Sequence, residues 1–233
     1  MDAKFDFYTV RARFFPSVLS ALPLIILAFF LSGDVELSRL GHFLVSLKFY
    51  GGISLGLVTL YFHAQMIRFV SKLLEDFHFA KRYGFPTTYL MTYTDGTHSK
   101  AYKDKYRAKV KHDFDLDLLD ETGETQDPEE AKKRLAEATK QVILKVQKGQ
   151  LVFKHNVWYG FIRNLTGGAF FSLAFCAVNI IVGLAAIKNT RLVVVSIVLL
   201  VLYGLLLVFW KPLLRQNAEA YAKQLIAEYM SAE

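Results

Sequence analysis

The sequence holds a single cysteine, Cys176, set in an apolar run. A lone cysteine excludes an intramolecular disulfide and a cysteine-based zinc cluster, and it reads as a small packing residue. The six histidines (His42, His63, His78, His98, His112 and His155) show no HExxH-type spacing, and no Gly-rich loop of the P-loop or dinucleotide kind occurs. No nucleophile–base pair stands out along the chain. These absences leave no expected metal, cofactor or catalytic residue, and the chain reads as something other than an enzyme. Charge is missing too over one long interval, about 165–187.

What is there is apolar surface. Of 233 residues, 53% are apolar and 15% aromatic, which fits a membrane protein with a modest soluble part. The uncharged interval alone gives roughly 34 Å of helix at 1.5 Å per residue, enough for a ~30 Å hydrocarbon core. The sequence predicts an all-α membrane protein with four transmembrane helices arranged as two hairpins and a small, mainly helical cytoplasmic domain between them. An interfacial segment and the first hairpin occupy 1–67, with spans at about 14–32 and 44–67. The cytoplasmic domain takes 68–158. The second hairpin fills 159–211, with spans at about 165–187 and 192–210, and a C-terminal helix covers 212–233.

Each span carries its own marks. Pro16 suits a helix start, and Pro23 removes a backbone donor inside the first span and kinks it. The basic residues Arg11 and Arg13 lie far from Met1, and Phe29-Phe30-Leu31-Ser32-Gly33 lacks an Ala-x-Ala site, which argues against a cleaved signal peptide. On the second span Gly52 and Gly56 form a small-xxx-small pair, continued by Thr59 and His63. Beyond Gln65 the apolar positions keep helical spacing, so that helix is expected to run on until Gly84-Phe85-Pro86 breaks it.

Within the middle domain, 87–94 is rich in β-branched and aromatic residues and ends in Asp95-Gly96, the signature of a strand and turn. Ser99 is placed to cap a helix reaching about His112, followed by an extended piece. Asp127, Pro128 and Glu130 mark the start of another helix, whose face is Leu135, Ala138, Val142 and Val146. The acidic residues between (Asp113, Asp115, Asp117, Asp120, Glu121, Glu124) read as a solvated loop, able to return a contact to the basic helix. In the tail, Leu214, Ala218, Tyr221 and Leu225 share one face, as a short coiled seam or a lid on the soluble domain.

Basic residues crowd the middle segment and both termini, while the two outer links are short and carry few. The positive-inside rule then places both termini and the middle domain in the cytoplasm.

Three constellations are candidates for function. Lys100, Lys103, Arg107 and Lys111 form an expected basic face with Tyr102 and Tyr106 beside it. Cations with aromatic rings suit a nucleotide or single-stranded oligonucleotide, and the same face also fits anionic lipid headgroups or plain solvation. Ser172, Cys176, Asn179 and Gly183 make one small, weakly polar stripe on the third span, for helix packing or pore lining. Tyr159, Gly160, Arg163 and Asn164 form a junction entering that span, read either as interfacial anchoring or as a gating hinge bending at Gly160 or Gly167-Gly168.

In Pro86-Thr87-Thr88-Tyr89-Leu90, the Asp95…Ser99…Tyr102-Lys103 stretch and Tyr159-Gly160-Phe161-Ile162-Arg163-Asn164-Leu165, the chain resembles the small bacterial four-transmembrane effectors associated with SMODS-type nucleotidyltransferases. The membrane component of Hailong-type antiphage systems is similar. The resemblance implies an inner-membrane effector. One subunit with four spans has too few helices to enclose a water column, so a conducting form is expected to be a closed homo-oligomer, with four copies by analogy with other small channels. Its pore would answer to a nucleotide or oligonucleotide signal from a partner nucleotidyltransferase. The competing class is a membrane scaffold whose basic domain docks lipid or a protein.

Overall fold

The computed structural model describes residues 7–31, 39–80, 84–146 and 149–232, with backbone alone for 39–55. Almost all of these residues are helical, and no strand occurs among them. In chain order the helices are α1 (Thr9–Leu31, beginning with a π-helical stretch to Phe14), α2 (Arg39–Ala80), α3 (Pro86–Tyr89) and α4 (Lys100–Phe114). There follow α5 (Glu121–Gln126), α6 (Pro128–Val146), α7 (Gln150–Ala185), α8 (Thr190–Val208) and α9 (Trp210–Ser231). Three of them, α1, α7 and α8, are long and apolar enough to cross a membrane. The outer link with Asp34 and Glu36 lies outside the described residues, as do the side chains of the expected second span up to residue 55.

The chain divides into two compact units, Met1–Leu74 with Gly160–Trp210, and Glu75–Tyr159 with Lys211–Glu233. Helices α2 and α7 each contribute residues to both.

In the first unit the organising element is the proline in α1. Pro23 has no N–H, so the Leu19 carbonyl four residues back loses its helical donor. Tyr203 of α8 supplies a replacement, its hydroxyl donating to Leu19 O at 2.5 Å. Two α7 side chains bind neighbouring carbonyls: Ser172 Oγ donates to Ser20 O at 2.9 Å and Asn179 Nδ2 to Pro23 O at 2.8 Å. A fourth clasp lies on the π-helical turn, where Asn164 Nδ2 donates to Ala12 O at 2.5 Å. In an apolar surrounding an unpaired carbonyl costs several kcal/mol. These four polar side chains are therefore spent on holding α1.

The second unit has an ordinary apolar core. Leu90 and Met91 meet Tyr106 and Val110 of α4, Leu135, Ala138 and Val142 of α6, and Leu225, Ile226 and Tyr229 of α9. The face expected on α6 is the buried one, through to Val146. On α9, Leu214, Ala218 and Leu225 are buried and Tyr221 is partly covered, so the tail packs as a lid within this unit. Helix starts follow the expected caps. Ser99 Oγ accepts from Tyr102 N at 3.3 Å, and Asp127 Oδ1 accepts from Glu130 N at 3.0 Å.

Two expectations in this unit need correction. The stretch 87–94 is no strand: Pro86 opens the one-turn α3, and Thr92 Oγ1 then donates to Tyr89 O at 2.7 Å to close a turn. Pro at the first helical position and a local hydroxyl bond outweigh the β propensity of the threonines. Nor are 120–126 solvated loop. Asp120 Oδ1 accepts from Gly123 N at 2.7 Å and starts α5, which carries Glu124 into the interior.

Candidate functional site

The six residues of the expected ligand face all lie on α4, but the helix does not present them together. Lys103, Tyr106 and Arg107 are on its buried side with Val110. Sequence periodicity placed the cations opposite the tyrosines, whereas Lys103 lies one turn before both Tyr106 and Arg107, and all three turn inward. Lys103 Nζ donates to the Asp95 carbonyl, and burial lowers its pKa. Tyr106 is in the core, its phenol pushed up to about 12 by burial. Tyr102 stacks on His98 with centroids 4.9 Å apart.

Arg107 is the most fully committed. Its Nε donates to Leu119 O at 2.8 Å, Nη1 to Met91 O at 3.0 Å, and Nη2 pairs with Glu124 Oε2 at 3.0 Å. Its guanidinium lies 3.9 Å from the Tyr93 ring centroid. Of the two exposed cations, Lys100 pairs with Glu121, and Lys111 with Asp115 at 2.7 Å and Asp117 at 2.8 Å. The acidic stretch thus does return to the basic helix, and it occupies the cations a phosphate would need.

The stripe on α7 is a packing surface within the chain. Ser172, Cys176 and Asn179 are fully buried, two of them bonded to α1 as described. A Cβ on Gly183 would stand 2.8 Å from Val193 Cγ2. On α2, Ser20 Oγ of α1 lies 2.9 Å from His63 Nε2, a serine–histidine pair that the sequence did not reveal. Ser20 is fully buried and also bonds Ser17 O at 3.0 Å, so the pair serves packing. Among the described residues, nothing lies within 4 Å of a Cβ placed on Gly56. Gly52 lies outside the described side chains.

The junction residues sit mid-helix, since α7 is unbroken from Gln150. Tyr159 donates its hydroxyl to Glu75 and stacks on Tyr221, all three in the second unit. In the first unit, Gly160 packs against Tyr8 and Ala12. Arg163 is half-buried on the next turn. Gly167 and Gly168 are close-approach points for α2 and α1.

One cavity of about 370 Å³ lies in the second unit, lined by His78 and Phe79 of α2, by Tyr89, Thr92, Thr94 and Asp95, and by Arg215 of α9. Glu219 Oε1 anchors its wall, accepting from Arg215 Nε at 2.6 Å and from Tyr89 Oη at 2.7 Å. Burial, and next the Glu219 carboxylate, push the Tyr89 phenol up to about 12, so it stays a donor near neutrality. Sequence reasoning passed over these residues because the hydroxyl-rich 87–94 run looked like a strand. The readable signal was the Arg215–Glu219 pair, one helical turn apart.

No protein family, curated protein or solved structure matches the chain.

Proposed function

We propose that the chain is a membrane effector of a bacterial antiphage defence system. In this reading four helices cross the inner membrane as two hairpins, with α2 as the second span and both termini cytoplasmic. Copies assemble around an axis, four being the expected number, and a nucleotide or oligonucleotide signal from a partner nucleotidyltransferase sets ion flow. The observation that carries the reading is that α2 and α7 each belong to both units. Long apolar helices and a helical unit with a ligand-sized cavity are segments of the same two helices, a route for coupling a soluble signal to a membrane event. The resemblance supplies the chemistry of the signal.

A second reading, a non-conducting scaffold, is favoured by the fate of the α7 stripe. Ser172 Oγ and Asn179 Nδ2 are bonded to α1, so conduction along the stripe requires α7 to exchange those bonds for water.

Ion flux separates the two. Full-length protein in liposomes is expected to release a trapped ion, with a rate that changes when the oligonucleotide product of the partner enzyme is added. An assembled protein that leaks nothing in either condition supports the scaffold. Topology is tested separately: a cysteine at Ser99 should be labelled from the cytoplasmic side alone, with the buried Cys176 silent, and one at Asp34 from outside alone. Periplasmic labelling at Ser99 would refute the two-hairpin arrangement.

A further inference from the structure

We infer that the cavity beside Arg215 is the seat for one nucleotide unit of the signal, an assignment that rests on the nucleotide-controlled reading above. The cavity has opposite charges among its lining residues. Arg215 brings a guanidinium whose Nε is committed to Glu219 at 2.6 Å. The Nη edge carries the remaining four donors, a planar fork suited to two phosphate oxygens. Asp95 brings a carboxylate, with Oδ1 accepting from Thr97 N at 2.8 Å, and Oδ2 is an acceptor for an amino or hydroxyl hydrogen.

A bare phosphate satisfies Arg215 and is repelled by Asp95. A nucleoside satisfies Asp95 and leaves the Nη edge of Arg215 unused, with the Nε alone paired to Glu219. A nucleotide offers both, with its phosphate for Arg215 and its base amino group or sugar hydroxyl for Asp95. Between them Phe79 and Tyr89 supply aromatic surface, and Thr92 and Thr94 supply hydroxyls. Tyr89 and Arg215 share the one Glu219 oxygen, so the ring and the cation are held by the same anchor. At about 370 Å³ the cavity stands at the small end of ligand sites, which run roughly 300–1,000 Å³. It has room for a single unit of a longer strand. A zwitterionic lipid headgroup shares the two-ended charge but lacks a flat ring for Phe79 and Tyr89.

The test uses the full chain in nanodiscs, titrated with 5′-AMP, adenosine, inorganic phosphate and O-phosphoethanolamine. AMP is expected to bind at least tenfold more tightly than each of the other three. Arg215→Gln should weaken AMP at least tenfold, and so should Thr94→Trp, which fills the cavity from an exposed position. Lys100→Glu and Lys111→Glu should change it less than twofold. If AMP binds no more tightly than adenosine and phosphate, the assignment falls, and the nucleotide-controlled reading is then decided by the flux response to the oligonucleotide alone. If AMP binds and Thr94→Trp leaves its affinity unchanged in a protein of unchanged helicity, the site is elsewhere and that reading stands. Phosphoethanolamine binding as tightly as AMP overturns the assignment in favour of a lipid headgroup.

Discussion

Glu124→Ala is expected to destabilise the second unit by about 3–5 kcal/mol, the range for breaking a buried ion pair from one side. The Arg107 and Glu124 side chains are only 9% and 6% exposed, so the guanidinium left behind has little access to water. The same carboxylate also accepts from Tyr93 N at 2.7 Å, and its removal orphans that donor. Since a whole domain is stable by only about 5–15 kcal/mol, the loss should show as a large fall in the melting temperature of this unit. Arg107→Met with Glu124→Leu should recover part of it, because no buried charge is left, while Met91 O, Leu119 O and Tyr93 N stay without these partners. The outcome also decides what Arg107 is for. A ligand-binding arginine would lose ligand affinity at unchanged stability. A melting shift worth less than about 1 kcal/mol, the scale of an exposed pair, would mean the pair is not the structural clasp described.

Gly167→Val should have a comparable effect on the first unit, about 3 kcal/mol or more, the upper end for overpacking. A Cβ there would meet Ser71 Oγ, Ser71 N at 2.9 Å and Ile67 O at 3.0 Å. Two of these are backbone atoms of α2, which cannot rotate away as a side chain does. The helices must separate, and the measurement is resistance to unfolding in a graded detergent series. Gly56→Ala is the control, since its Cβ position is open. Equal resistance of Gly167→Val and wild type would mean that the close approach at Gly167 does not hold α2 against α7.

How far the sequence could be read depended on the range of the interaction concerned. Apolar runs, caps and the α6 face are local, and Ser99, Asp127 and Leu135 through Val146 sit where periodicity puts them. The one-turn α3 was not legible, because Thr87, Thr88 and Tyr89 have strand-like side chains and only Pro86 speaks for a helix. The buried cations were missed for a different reason. Lys103 and Arg107 are charged, and charge is ordinarily an outward signal. What brings them in is partners at Asp95, Leu119 and Glu124 that no helical period encodes. The stripe of Ser172, Cys176 and Asn179 was visible as a stripe, and its two uses were equally legible. Only the carbonyls of Ser20 and Pro23 on α1 decide between them, and these lie about 150 residues away in sequence.

That separation has a consequence for how the protein is made. The donor for Leu19 O lies 184 residues downstream, and those for Ala12, Ser20 and Pro23 lie 152, 152 and 156 residues downstream. At about 5–20 residues per second, α1 emerges roughly 10–40 s before Tyr203 exists to complete it. Throughout that interval the nascent first helix carries carbonyls that its final partners cannot yet reach. The first described helix is therefore completed only once α8 has been made.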